Sequence, residues 1–155
     1  MSSSKQSEPN AATVVSRSRK TDETDISVQF GFADDGEVRI NTGVPFFDHM
    51  LHAWAFHGGM ACTIEASGDV EIDPHHLVED VGLVLGDALL EYVDRTGPVA
   101  RFGHSVVPMD DAVAEVAIDI GGRPYLVYHA DFPQDRAGSF DVSDRKSTRL
   151  NSSHY

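Results

Sequence analysis

The chain has 155 residues, of which 41% are hydrophobic, so it is long enough for one globular domain with a buried core and too apolar to be disordered throughout. Its formal net charge of −13 argues against a nucleic acid or an anionic membrane surface as a partner. No apolar run approaches the length of a membrane helix, and the single cysteine, Cys62, excludes an intrachain disulfide and favours a reducing compartment such as the cytoplasm.

The first predicted elements are strands. Residues 1–12 are Ser-rich and lack the apolar core of a signal peptide, so we expect a disordered tail there. Residues 13–20 alternate weakly and predict a strand. Residues 26–32 alternate apolar and polar side chains, and the alternation resumes at 38–40 after an Asp-Asp-Gly sequence at 34–36. This pattern predicts a β-hairpin whose glycine supplies the positive φ of the turn.

Two helices are predicted next. Residues 45–57 change to helical periodicity, and Gly58-Gly59 ends that helix. Residues 60–66 predict another strand. The second helix is predicted to start at Pro74, with Asp73 as its N-cap, and to end before Gly97. The side chains predicted to face inward are Phe47, Met50, Leu51 and Trp54 in the first helix and Val78, Val81, Leu85, Leu89 and Tyr92 in the second.

The second half of the sequence begins like the first. Residues 112–120 and 124–132 alternate on either side of Gly121-Gly122 and predict a second hairpin. A repeat would next require a helix, a strand and a second helix, which the sequence lacks. The predicted fold class is therefore an α+β (α/β) sandwich built from a duplicated half-repeat, with the second half incomplete. The predicted boundaries are 13–142 for the domain, about 13–98 for the first half-repeat and about 99–142 for the partial second one.

The last residues differ from the rest of the chain. Residues 143–155 show almost no apolar periodicity and concentrate Arg145, Lys146 and Arg149 against an acidic trend. They resemble translated sequencing-adapter read-through, so we expect a non-native tail on a truncated chain. The alternative is a native disordered tail.

Two adjacent histidines, with a glutamate one helical turn further on, open the second predicted helix. At about 100° per residue, Glu79 lies roughly 40° from His75 and roughly 60° from His76, while the two histidines diverge by about 100°. Imidazoles that point apart beside one carboxylate suit two metal ions better than one. A solvated helix start with incidental histidines is the alternative. Six of the eight histidines fall between residues 49 and 104, and this clustering favours metal.

Seven short motifs occur in order over about residues 15–142. They are TDET (21–24), TGVPFFDHML (42–51), GD (68–69), DPHHLVED (73–80), RFG (101–103), VPMD (107–110) and GRP (122–124). In order and spacing, this set resembles the imidazoleglycerol-phosphate dehydratase family.

The resemblance implies a dimetal carbon–oxygen lyase that converts imidazoleglycerol phosphate to imidazole-acetol phosphate in histidine biosynthesis. It also implies a duplicated α/β sandwich, a large closed homo-oligomer built from trimers, and two manganese ions per active site at subunit contacts. By this resemblance the expected metal ligands are His49, His75, His76 and Glu79, and the proton-transfer carboxylate is Glu23. The expected phosphate contacts are Arg101 and Arg123, with His57 as a pocket histidine.

The sequence departs from the family pattern at several positions. Ala53 stands where many members carry a glutamine, so one polar substrate contact is expected to be missing. The second histidine-pair helix, the lone second-half histidine ligand and the phosphate-binding lysine have no counterpart after Asp141. The chain as given is therefore expected to be an inactive fragment. A non-catalytic metal-binding or assembly module is the alternative. A metallohydrolase is disfavoured, because only Glu79 and Asp80 offer acid groups for a metal-bound water.

Overall fold

The computed structural model of the chain describes residues 13–33, 35–71, 73–130, 134, 136, 137, 140 and 141. It divides into two compact units whose boundary lies between Thr96 and Gly97. The first unit holds both described helices, and neither is long and apolar enough to cross a lipid bilayer.

The first unit is built on a four-stranded sheet. Its strands in chain order are β1 (Val15–Lys20), β2 (Thr24–Phe32), β3 (Val38–Asn41) and β4 (Met60–Gly68). Their order in the sheet is β1-β2-β4-β3, with β3 and β4 parallel and the other pairs antiparallel. Helix α1 (Pro45–His57) connects β3 to β4, because a parallel pair needs a crossover, and α2 (His75–Thr96) follows β4.

Both helices pack on one face of this sheet. The alternation of β2 buries Ile26, Val28 and Phe30 and leaves the residues between them exposed on the opposite, polar face. The remaining buried members of the core are Val15, Ala55, Cys62, Ile64, Val81, Val84 and Ala88. The result is a mixed α and β fold with one helix layer on one sheet face.

The predicted hairpin of residues 26–32 and 38–40 is wrong. β4 lies between β2 and β3, and β2 pairs with it over nine residues, from Thr24 opposite Gly68 to Phe32 opposite Met60. Gly36 is not among the described glycines with a positive φ, and Asp34 lies outside the described residues. A Cβ on Gly36 would lie 2.7 Å from the Ala61 Cα, so this position requires glycine because of close backbone approach and not because of a turn.

The predicted helix boundaries agree with the structure, whereas the predicted inward faces are only partly right. Gly58 and Gly59 end α1, with Gly59 at φ 63°, and the Asp73 carboxylate accepts a hydrogen bond from the His75 N–H (2.8 Å). Trp54 and Leu89 are about 40% exposed, contrary to the prediction. The buried helix positions include two alanines, whose small side chains let the helices approach the sheet closely. The prediction considered only large apolar residues and therefore left these alanines out. These buried positions are Ala55 in α1 and Leu77, Val81, Val84 and Ala88 in α2.

The second unit contains a hairpin, but not the predicted one. β5 (Phe102–Met109) pairs antiparallel with β6 (Ala112–Asp119) through a turn in which Asp110 has a φ of 52°. Residues 124–130, predicted to be the partner of β6, form no regular strand, and 131–132 lie outside the described residues. Gly103 and Pro108 weaken the strand pattern of β5, which is why sequence analysis missed it. A short pair, β7 (Arg136–Ala137) and β8 (Phe140–Asp141), follows.

Burial of Cys62 gives a test of the core. Burial raises the pKa of the Cys62 thiol to about 11 from 9.0, so roughly a thousandth of it is the reactive thiolate at pH 8. We expect iodoacetamide at pH 8 to leave the native chain unmodified and to alkylate it in urea, as measured by mass spectrometry. Because the unfolded thiol ionises first, this group's contribution to stability should be lost as the pH rises above about 9. Rapid alkylation of the native chain at pH 8 would contradict this placement of β4.

Candidate active site

The central contact of the candidate site joins Glu23 to His76. Glu23 lies in the turn between β1 and β2, and His76 lies in the first turn of α2. The Glu23 Oε2 atom is 2.9 Å from His76 Nδ1, and both side chains are about 60% exposed. The fold therefore places a carboxylate and an imidazole from distant parts of the sequence together, within reach of solvent.

The neighbouring histidine has a different partner. His75 Nε2 lies 3.7 Å from Glu79 Oε2, one helical turn further on, and both side chains are about 20% exposed. The ring centroids of His75 and His76 are 5.7 Å apart, with an angle of 67° between the ring planes. The two rings thus lie edge to face, and their nitrogens face different carboxylates.

Two shallow cavities, each of about 300 Å³, flank the Glu23–His76 pair. One is lined by Glu23, Thr24, Asp69, Asp73, His76 and Leu77. The other is lined by Thr21, Asp22, Glu23, His76, Glu79 and Asp80. The Glu23 carboxylate and the His76 imidazole are thus accessible to a small molecule from two sides.

Gly68 allows the close packing behind this pair. It ends β4 opposite Thr24, and a Cβ there would lie 2.9 Å from the Glu23 carbonyl oxygen and 3.3 Å from Leu77 Cδ1. A side chain at this position would therefore push the Glu23 turn away from the start of α2.

Two predicted site histidines lie on α1, and no described contact joins them to Glu23 or His76. The His49 side chain is exposed and makes no hydrogen bond or ion pair within the described part of the chain. Asp48, the residue before it, accepts hydrogen bonds from the Thr42 N–H (2.8 Å) and hydroxyl (2.6 Å), which fixes the loop before α1. His57 is the last residue of α1, and its ring contacts that of Phe56.

The potential metal ligands are present in pairs. Within the described residues, no group of three or more His, Cys, Asp or Glu side chains is arranged to hold a metal ion. The two pairs are Glu23 with His76 and His75 with Glu79.

The predicted phosphate contacts lie in the second unit and share one cavity. Arg101 donates from Nε to Asp119 Oδ1 (2.8 Å) and from Nη2 to Oδ2 (3.2 Å), and these hydrogen bonds raise the pKa of its guanidinium. This fork leaves the N–H groups on the other edge of the guanidinium free of Asp119. The cavity, of about 610 Å³, is lined by Arg101, Ala117, Asp119, Gly121, Arg123, Pro124, Tyr125, Leu126 and Val127.

Comparison with known proteins decides the family. The family model described as imidazoleglycerol-phosphate dehydratase matches residues 42–148. The chain belongs to the imidazoleglycerol-phosphate dehydratase family. It is 50% identical over 126 residues to the imidazoleglycerol-phosphate dehydratase of Bacillus licheniformis and 48% identical over 124 residues to that of Geobacter sulfurreducens. The two relatives support the expected family on sequence alone.

Solved structures of the family have the same fold. The Staphylococcus aureus dehydratase matches with a TM-score of 0.72 at 36% identity, over 87% of this chain and 75% of that one. The Pyrococcus furiosus dehydratase, solved in complex with (S)-C348, matches with a TM-score of 0.67 at 40% identity, over 84% and 69%. The chain spans 65% of the length of the Bacillus relative and 64% of the Geobacter relative, and these matches cover 81% and 80% of this chain.

Sequence analysis missed the residues that support the candidate site. Asp80 accepts a hydrogen bond from the Thr24 hydroxyl (2.6 Å), and Asp119 holds Arg101. Asp80 offered a weak signal, because it lies one helical turn after His76 in the same motif. Asp119 offered none, since its pairing with Arg101 depends on the strand register that was not predicted.

Proposed function

We propose that this chain carries part of the active site of an imidazoleglycerol-phosphate dehydratase, which removes water from imidazoleglycerol phosphate to give imidazole-acetol phosphate in histidine biosynthesis. The observation that carries the proposal is the 2.9 Å contact between Glu23 and His76, at the two motifs that the family resemblance assigns to chemistry. Family membership supports the reaction class. The acidity of the chain and its single thiol support a cytoplasmic protein that binds no nucleic acid and no membrane.

His49, His75, His76 and Glu79 are the proposed ligands of two manganese ions. Imidazole and carboxylate donors suit such an ion, so the donor types fit. They do not complete a site within the described residues, because no three of these side chains lie together there. When bound, divalent metal would stabilise the imidazolate form of the substrate ring. By the family resemblance, further ligands are expected from the second histidine-pair motif, which has no match in the given sequence.

The roles proposed for the other side chains are those that the family resemblance implies. Glu23 moves the proton at the carbon next to the leaving hydroxyl, and its exposure to two cavities supports access to substrate. Arg101 and Arg123 hold the phosphate, which needs local positive charge in a chain of net charge −13. His57 contributes to the substrate pocket. The guanidinium edge of Arg101 that faces away from Asp119 would bind phosphate oxygens.

A homo-oligomer is proposed for the complete protein. In the second unit one face of the β5–β6 hairpin is apolar and exposed. Its exposed side chains are Val107, Met109, Val116 and Ile118. Exposed apolar faces favour association, which supports subunit contacts.

Removal of single ligands should show that the two histidines serve different metal ions. The test uses a completed enzyme, in which the C-terminal part of the Bacillus licheniformis relative follows residue 141 of this chain. His75→Ala and His76→Ala should each remove about one manganese per site, because their nitrogens face different carboxylates. Metal content is measured by mass spectrometry, with the exposed His52→Ala variant as control. Unaltered metal content in either variant would refute the assignment.

Glu23→Gln tests proton transfer. Glutamine keeps the shape of the side chain and removes the titrating group, so substrate binding should be retained while turnover falls by roughly two to four orders of magnitude. Asp22→Asn is the control, because Asp22 is a neighbouring exposed carboxylate in the same turn. Near-normal turnover of Glu23→Gln in steady-state assays of the completed enzyme would rule out this role.

Arg101→Lys tests the phosphate contact. Lysine keeps the charge and loses the fork, so substrate binding should weaken severalfold. The control is Arg39→Lys, because Arg39 makes a similar fork to Glu37 (2.6 and 2.7 Å) elsewhere in the chain. The effect should disappear for an analogue without phosphate. An equal loss for both ligands would indicate a folding role.

The chain as given should bind manganese weakly and show no dehydratase turnover, since its described residues bring no three potential ligands together. Titration calorimetry with Mn²⁺ and an activity assay, run beside the completed enzyme, give the measurement. Two tight metals and turnover in the 155-residue chain would contradict this prediction. Tight metal binding without turnover in the completed enzyme would instead favour a non-catalytic metal-binding module.

A further inference from the structure

The Asp80 carboxylate joins three elements behind the candidate site. Asp80 lies on α2 and its side chain is 13% exposed. Its Oδ2 accepts a hydrogen bond from the hydroxyl of Thr24, the first residue of β2 (2.6 Å), and its Oδ1 lies 3.0 Å from Nε of Arg19 on β1. One half-buried carboxylate thus ties the helix to both strands that flank the Glu23 turn.

The hydroxyl groups of Thr24 and Thr21 extend this connection from Asp80 to the backbone of the Glu23 turn. An ionised carboxylate only accepts, so the Thr24 hydroxyl donates to Asp80. Its single hydrogen is then used, so the Thr21 hydroxyl, 2.9 Å away, must donate to Thr24. Thr21 Oγ1 in turn accepts from the backbone N–H groups of Glu23 (3.2 Å) and Thr24 (2.9 Å). The backbone of Glu23 is therefore connected to Asp80 through two hydroxyls.

We propose that Asp80 is a positioning residue, which holds the Glu23 turn against the start of α2 so that the Glu23 carboxylate faces His76. Asp80 lies four residues after His76, on the same side of the helix, so a tie at Asp80 fixes the turn beside that imidazole. The inference deepens the proposed function and rests on the roles proposed there for Glu23 and His76. As a positioning residue, Asp80 acts through the Glu23 turn and not on the substrate.

The same helix offers a matched control. Glu91 is also on α2, its side chain is 10% exposed, and its Oε2 lies 2.6 Å from Nη1 of Arg17 on β1. Arg95 pairs with it as well. At about 1.5 Å per residue, Glu91 lies roughly 16 Å further along the helix than Asp80. Loss of its charge should weaken the contact between α2 and β1 without affecting the Glu23 turn.

Amide hydrogen exchange in the 155-residue chain measures the effect on the turn. The probes are the N–H groups of Thr21, which donates to the Thr24 carbonyl (2.8 Å), and of Thr24. Asp80→Asn should raise their exchange rates, followed by NMR, by about tenfold or more. Glu91→Gln should lower the melting temperature and leave these two rates unchanged.

A second pair of variants covers the case in which Asp80→Asn does not fold. Thr24→Val removes the hydroxyl at nearly constant volume and should raise the Thr21 exchange rate, whereas Thr24→Ser retains the hydroxyl and should keep the native rate. Equal rates in the valine and serine variants would overturn the proposal. It is also overturned if Asp80→Asn and Glu91→Gln change the two probes equally, or if the probes already exchange freely in the unchanged chain.

Kinetics of the completed enzyme separate this inference from the proposed function. Asp80→Asn should lower kcat by about tenfold to a hundredfold with little change in KM, because a misplaced Glu23 affects the chemical step more than binding. Equal falls for Asp80→Asn and Glu91→Gln would overturn the positioning role. If Glu23→Gln retains turnover, the proposed function fails, and the exchange rates in the 155-residue chain still decide whether Asp80 holds the turn.

Discussion

The contact between α2 and the β1–β2 strand pair is the constraint on which the candidate site depends. Its apolar part is the stripe from Leu77 to Ala88 against the sheet, and such packing is strong but not directional. The direction comes from β1, where the strand period places Arg17 and Arg19 on the helix face, opposite the buried Val28 and Ile26. Their ion pairs with Glu91 and Asp80 fix the helix along the strand. The first turn of α2 then lies beside Glu23.

The fold was predictable where the pattern is local and was missed where it depends on pairing. Helical periodicity with glycine and Asp73 at the ends gave the boundaries of both helices, because these signals lie within a few residues of each other. Period-two alternation located β2 and β4 but says nothing about which strand lies next to which. β2 forms nine pairs with β4, whereas the four residues of β3 pair with the other edge of β4, and the partners of β2 lie 28 to 44 positions away in the sequence. The second hairpin was predicted wrongly for the same reason, because the alternation does not show which strands pair.

The candidate site, too, was predictable in its residues but not in their contacts. Helix geometry accounts for the different carboxylates that His75 and His76 face, and the family resemblance selected Glu23, Arg101 and Arg123 from many charged residues. Their contacts were not predictable, because the Glu23–His76 distance is set by the packing of α2 on β2 and the Arg101–Asp119 fork by the register of β5 on β6. His49 and His57 remain predictions, since the described residues give neither a contact to the other site residues.

Carboxylates that look alike in the sequence differ in the partners that the fold gives them. Asp48, Asp80, Glu91 and Asp119 each hold a hydroxyl, a backbone N–H or an arginine from another part of the chain. Such partners do not change their own charge, because arginine stays protonated and hydroxyls only reorient. In the described residues, Glu23 and Glu79 instead pair with imidazoles, which exchange protons near neutral pH and bind metals. An acidic group whose partner can gain or lose a proton, or can bind a metal ion, is available for proton transfer or metal binding. The partner of each acid therefore separates the carboxylates that build this fold from those that we propose act on substrate and metal.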